Sequence, residues 1–285
     1  MSQAAPARAI TLAIGAILCF SLMDASVKAA SPITGTLPAL WARYAGLMMI
    51  VVILTAPRLR QVARSRRPIL QVARSVLLMM ANLFFFVALG QIGLAQVAAV
   101  ASVNPVLIAL GAALFLGEPL GPRRIGAIIV ALIGALIVIR PGAEVFQPAA
   151  VLPLLAAFCF ASYTLITRRL GPGEDPWTSL FYTGLVGAIV LTAIVPFAWT
   201  RLTWTGAGLL VLIAAFGTIG QLMLIRALSS ADAGLLAPFN YTGLIFAGLL
   251  GLVFFGAVPD NWTLIGALVI ASAGIYVWDR ETRGR

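Results

Sequence analysis

Long apolar runs alternate with short polar punctuation along this chain, and the runs predict membrane-spanning helices. Ten can be placed, at 9–29, 37–56, 69–90, 94–116, 122–140, 149–168, 177–198, 205–227, 233–255 and 261–279. Each is near the roughly 20 apolar residues that a helix needs to cross the hydrocarbon layer. Proline and glycine punctuate nearly every junction: Ser31-Pro32, Ala56-Pro57, Gly117-Glu118-Pro119, Pro141-Gly142, Gly171-Pro172-Gly173 and Val258-Pro259. Connections are short, so little can protrude from the bilayer. A membrane barrel would show short strands of alternating polarity, which the pattern lacks. Helices satisfy their own backbone polar groups in hydrocarbon. The expected fold class is therefore an all-α membrane protein with ten transmembrane helices.

The pattern also repeats. Residues 97–140 form an apolar run with Asn104-Pro105 at its middle, a tight turn and a second apolar run, and residues 233–280 follow the same plan. Pro119, Gly126 and Gly134 return as Pro259, Gly266 and Gly274, and Cys19-Phe20 as Cys159-Phe160, all 140 positions later. Ala88-Leu89 returns as Ala227-Leu228 after 139. The chain thus divides into two five-helix repeats, 1–145 and 146–285. Five crossings is an odd number, so the second repeat enters the membrane in the opposite direction. Inverted repeats of this kind mark secondary transporters, whose substrate site lies near the midplane between the halves.

Composition agrees: 61% of residues are apolar and 10% charged, against about 45–50% and 25% in soluble domains. The net charge of +10 could suggest a nucleic-acid partner, but the arginines occupy alternate connections. Arg58, Arg60, Arg64, Arg66 and Arg67 follow the second span, Arg123 and Arg124 the fourth, Arg168 and Arg169 the sixth, and Arg280, Arg283 and Arg285 the tenth. The opposite connections hold only Lys28, Arg140 and Arg201 near their edges. Positive connections face the cytoplasm, so the charge predicts a multi-pass inner-membrane protein with both termini cytoplasmic, and no nucleic acid. The first apolar run follows a single arginine and is interrupted by Asp24 and Lys28, which fits an uncleaved span better than a signal peptide. Cys19 and Cys159 lie in apolar runs without CxxC spacing and there is no histidine. No disulfide framework, metal site, cofactor or catalytic residue is therefore expected.

Polar groups inside spans are expensive in lipid and so mark function. Asp24 lies about 15 residues into the first span, or roughly 22 Å along the helix, and Arg43 about six residues, or roughly 9 Å, into the second from the other side. Both reach a similar depth. One reading places them on the central path, binding the ends of a zwitterion, gating it or relaying a proton. The other makes them a structural ion pair, with Lys28, one turn on, reaching to the interface. Asn82 and Gln221 match across the repeat. Asn104 beside Pro105, and Asn240-Tyr241 beside Pro238, place helix breaks in corresponding spans, a pointer to a transporter site. Trp41, Tyr163, Tyr182 and Tyr241 could wall an apolar pocket, while Trp177, Trp199, Trp204, Trp262 and Trp278 fall at span ends as interfacial anchors. The small faces Ala127/Ala131/Ala135 and Gly243/Ala247/Gly251 suit close helix packing or a homodimer contact. Glu118 is expected to cap its turn.

With these residues in view, the chain resembles the EamA-type branch of the drug/metabolite transporter superfamily. The resemblance rests on the five-plus-five spans and on N-P-V-L-I-A-L-G-A-A-L-F-L-G-E-P-L followed by I-G-A-I-I-V-A-L-I-G-A-L-I-V. The second copy departs where Val258 replaces Glu118. The run S-L-M-D-A-S-V-K is similar to a subgroup that includes amino-acid and S-adenosylmethionine carriers. The resemblance implies alternating-access movement of small organic solutes, often outward. The leading expectation is export of amino acids or related amphipathic solutes, with Asp24 also the candidate for proton coupling. The alternatives are uptake of a nucleotide-derived metabolite such as S-adenosylmethionine, or a small-solute channel. An enzyme would need a nucleophile–base pair, metal cluster or paired carboxylates, and an ATP-driven pump a phosphate-binding loop. The sequence has neither set.

Overall fold

The computed structural model describes residues 4–116, 122–139, 147–170, 174–199, 202–230 and 237–283. Among these the regular structure is helical: α1 (Ala4–Thr34), α2 (Thr36–Thr55), α3 (Leu59–Val62), α4 (Pro68–Gln91), α5 (Leu94–Ala101), α6 (Asn104–Leu116), α7 (Pro122–Ile139), α8 (Leu152–Leu170), α9 (Pro176–Ile194), α10 (Trp204–Ser230), α11 (Thr242–Phe255) and α12 (Asn261–Arg283). The turn at Glu118 and the helix break's partner segment 231–236 lie outside the described residues.

Six segments are long and apolar enough to cross a membrane: Arg8–Thr34, Thr36–Val62, Pro68–Gln91, Pro148–Thr167, Pro176–Ala198 and Trp204–Leu224. The fourth, fifth, ninth and tenth predicted spans appear as shorter apolar helices, so length alone does not reach ten among the described residues. Part of the reason is visible in the fourth. Its helix stops at Ala101 and restarts at Asn104, because Pro105 has no N–H to donate and disfavours helical backbone just before it. Ser102 covers the break by donating its backbone N–H and its hydroxyl to Ala98 O, at 3.0 and 2.7 Å.

One junction differs from the proline-based expectation, and another, expected to follow residue 255, is made by a glycine. α1 continues through Ser31-Pro32 and ends at Gly35, whose φ of 80° reverses the chain directly into α2. α11 ends at Gly256, with φ 61°, before Val258-Pro259. There the Gly256 and Ala257 N–H groups close the last turn on Leu252 O and Gly251 O, both at 3.0 Å. Both junctions need a left-handed residue, which glycine adopts without a Cβ clash.

Helices α1 and α10 pack together, as do α4 and α8, α2 and α9, and α7 and α12; α2 also meets α10, and α4 meets α9. Small residues let these helices approach. A Cβ on Gly46 would stand 2.6 Å from Ala214 Cβ, and one on Gly184 3.1 Å from Met48 Cα. Of the small faces expected to pack or to dimerise, Ala131 lies against Val106 and Ala273, Ala135 against Val103 and Ile270, and Gly251 beside Leu94. The central core holds Val27, Leu40, Tyr44, Phe86, Leu89, Val97 and Ile213. Large apolar side chains point outward instead of inward at Ile69, Phe115, Val253 and Leu268, as they must in a bilayer, where lipid is the solvent. Trp204, 95% exposed, sits at a helix end with Trp199 and Trp262, as interfacial anchors do.

Candidate substrate site

A column of polar side chains runs between α1, α2, α4, α8 and α9. At one end Arg43, on α2, is held in a cage built by three other helices. Its Nη1 donates to Met23 Sδ at 2.7 Å. The guanidinium carbon lies 5.8 Å from the Phe20 ring centre and 6.0 Å from that of Phe86. Gly217 of α10 leaves room for the Arg43 stem, since a Cβ there would come 3.0 Å from Met23 Sδ and 3.6 Å from Arg43 Cγ. Asp24 follows Met23 on α1 and its carboxyl is within electrostatic reach of Arg43. Among the described residues the two form no ion pair within 4 Å. Arg43 therefore faces a thioether and aromatic rings, all weaker acceptors than a carboxylate.

Lys28 reaches the end of α4. Its Nζ donates to Leu89 O at 3.1 Å and Ile92 O at 2.7 Å. It satisfies carbonyls at the end of α4 that have no partner within the helix, where a cation also opposes the helix dipole.

Next along the column is Tyr44, 1% exposed. Its hydroxyl accepts from Asn82 Nδ2 at 2.7 Å, and the same amide donates to Leu78 O at 2.9 Å. Tyr163 receives Arg74 of α4: Arg74 Nη2 lies 3.5 Å from Tyr163 Oη, 3.4 Å from Ser179 O and 3.3 Å from Thr183 Oγ1. Below Arg74, Gln71 Nε2 donates to Ser179 Oγ and Glu174 Oε2, at 3.3 and 3.4 Å. Glu174 Oε1 closes this end by accepting from Ser65 Oγ at 3.0 Å and the Arg66 N–H at 2.8 Å.

Of the candidates read from sequence, the structure brings Asp24, Arg43, Asn82 and Tyr163 into this column. Trp41 stands apart: its Nε1 donates to Thr192 Oγ1 at 2.9 Å and its ring meets Trp199 edge-on at 5.7 Å, so it ties α2 to α9. Tyr182 donates to Ala63 O at 3.2 Å, near the arginine-rich connection. Gln221 is half-buried on α10, one residue past Gly220, which packs on Phe20. Asn104 and Tyr241 lie at the two helix breaks beside Pro105 and Pro238, and each has a buried oxygen with no partner among the described residues. Asn240 is exposed.

The same plan is found in known proteins. The EamA-like transporter family matches residues 7–140 and again 147–278. The chain belongs to the EamA-like transporter family. The pseudopaline exporter of Pseudomonas aeruginosa is 31% identical over 93% of this chain and 94% of its own. The riboflavin transporter of Rhizobium johnstonii is 34% identical over 66% of this chain, and the match spans 63% of that protein, less than two thirds. An S-adenosylmethionine uptake transporter of Rickettsia bellii is 27% identical over 75% of this chain and 74% of its own. One solved crystal structure shares the fold, with a TM-score of 0.67 at 18% identity over 94% of this chain and 96% of that one. This EamA-like protein is a multi-pass membrane transporter of small metabolites.

Within that family setting, sequence reasoning missed Arg74, Tyr44, Gln71 and Glu174. Arg74 had a signal: it is the sixth residue of the predicted span 69–90, and the criterion that singles out Asp24 applies to it equally. Tyr44 and Glu174 had none, because their partners lie 38 and more than 100 positions away in sequence.

Proposed function

We propose that the chain exports amino acids or related amphipathic metabolites by alternating access between two inverted five-helix halves, 1–145 and 146–285. The observation that carries this reading is Arg43 caged by Phe20, Phe86 and Met23 beside Asp24. A guanidinium facing weak acceptors in an apolar setting offers a substrate carboxylate a charge-assisted bond. The neighbouring carboxyl offers the opposite contact to an ammonium group. The helix pairing supports inverted halves. Exchanging the halves converts the α1–α10 contact into the α8–α4 contact, while α2–α9 and α7–α12 each map onto themselves. The arginine-rich connections support cytoplasmic termini in the inner membrane. The relative named as an exporter aligns over nearly its whole length, which supports outward movement. Relatives named as S-adenosylmethionine uptake transporters favour a second reading, uptake of a nucleotide-derived solute.

Counterflow in proteoliposomes tests both. Vesicles loaded with unlabelled amino acids should accelerate entry of a labelled one, saturably. Asp24→Asn and Arg43→Gln should each lower the initial rate about tenfold or more, the factor that 1.4 kcal/mol represents, while remaining monodisperse. Unchanged rates in both variants would refute the site, and acceleration by S-adenosylmethionine alone would select the second reading.

A further inference from the structure

At the arginine-rich end of the column another arginine is buried, and among the described residues it has no ion pair within 4 Å. Arg74 is 3% exposed. Its one engaged nitrogen, Nη2, makes only long contacts of 3.3 to 3.5 Å. Nε and Nη1 have no acceptor among the described residues; these carry three of the five guanidinium N–H donors. The Tyr163 ring covers the guanidinium at 5.0 Å. Gln71, one turn earlier and fully buried, likewise has an Oε1 without a partner. Glu174, the carboxylate at this end, is engaged by Ser65, Arg66 and Gln71. Burying an uncompensated cation is strongly unfavourable. An oxyanion would supply both the missing charge and the missing acceptors.

We propose that Arg74 is a second anion-binding station, taking the carboxylate or phosphate group of the solute in transit. This rests on the transporter reading. Close to Arg74, a second set of contacts joins the chain segments at this end. Glu174 clasps Ser65 and Arg66, Arg67 Nη1 donates to Arg169 O at 3.2 Å, and Tyr182 donates to Ala63 O. Closing the end over an empty station strands the guanidinium, whereas closing it over an anion does not. Anion binding and closure therefore favour each other. An ammonium on the same solute has Gln71 Oε1 to donate to, which suits an amino-acid-like group.

The test uses the full chain in nanodiscs of zwitterionic lipid, with sodium acetate and inorganic phosphate as probes against chloride at fixed ionic strength. Tryptophan fluorescence reads the apparent melting temperature. The wild type should show a saturable rise with at least one probe. The rise should survive in Asp24→Asn/Arg43→Gln, so that failure of the first site and of this one are separable. Arg74→Met should melt higher than wild type in chloride and lose the anion response, since an apolar side chain strands no charge. Arg74→Lys should respond with an affinity weakened about tenfold, because an ammonium lacks the planar fork. The proposal is overturned if the wild type does not respond, or if Arg74→Met keeps the response. Should Arg74→Met fail to fold, an unchanged midpoint in Arg74→Lys overturns it. A response abolished by adding phosphatidylglycerol assigns the station to a lipid headgroup and likewise overturns it.

Discussion

Replacing Gly187 with alanine should disable the middle of the polar column without touching a polar atom. Gly187 of α9 lies flat against the ring of Tyr44. A Cβ added there would stand 2.2 Å from Cδ1, 2.4 Å from Cγ and 2.8 Å from Cε1 of that ring. Carbon atoms rest at about 3.5 Å or more, so ring and helix must part by about 1.3 Å. Tyr44 is 1% exposed and has no free space to take up the shift. Its hydroxyl then leaves Asn82 Nδ2, now at 2.7 Å, beyond hydrogen-bond range. Overpacking of this kind costs about 1–3 kcal/mol, and the lost hydrogen bond about 0.5–1.5 kcal/mol more. The sum is roughly 1.5–4.5 kcal/mol. Two assays read it: reversible unfolding in mixed micelles for stability and proteoliposome counterflow for transport. Both should fall. Adding Tyr44→Leu to Gly187→Ala should recover much of the stability, because the smaller side chain makes room, and none of the transport, because the hydroxyl is still missing. A Gly187→Ala protein within about 0.5 kcal/mol of wild type and with unaltered counterflow would refute the argument.

Two further outcomes follow from helix contacts. Gly266→Ala places a Cβ 2.7 Å from the backbone oxygen of Gly134 and 3.3 Å from the Val138 nitrogen, so α7 and α12 must separate and stability should drop by about 1–3 kcal/mol. Gly126→Ala meets nothing within 4 Å and should hold or gain stability; equal melting temperatures for the two variants would contradict the crossing. Lys28→Met strips two carbonyls at the end of α4 of their charged donor and should lose about 1.5–3 kcal/mol, with faster hydrogen exchange confined to the turn around residues 89–93. Exchange unchanged there would show that Lys28 does not hold that turn.

Several features were legible before any coordinates. Apolar runs of span length dictate helices, because hydrocarbon leaves a backbone no other partners. The break before Asn104-Pro105 was legible because proline's missing N–H acts locally, whatever surrounds it. The ninth span is expected to end at 255, where α11 ends, but the first is expected to end at 29, before Ser31-Pro32, whereas α1 runs on to Thr34 and turns at Gly35. A proline within the last turn of a helix does not end it, whereas a left-handed glycine does.

The site divides in the same way. Asp24 and Arg43 stand out in sequence because charge inside an apolar run is rare, and the residue type alone carries that information. What each touches is settled by helix packing. Arg43 is surrounded by Phe20, Met23, Phe86 and Gly217 from three other helices, and Lys28 is drawn to the end of α4 instead of to Asp24 four residues away. Sequence alone determined that this chain crosses a membrane as helices in a repeated pattern with a few buried charges, since those facts depend on solvent and on local backbone chemistry. Only the tertiary structure decided which charges lack an ion pair among the described residues, Arg43 with a thioether and aromatic faces and Arg74 with neutral oxygens on one nitrogen alone, because a counter-charge is a matter of distance in space between residues far apart in the chain.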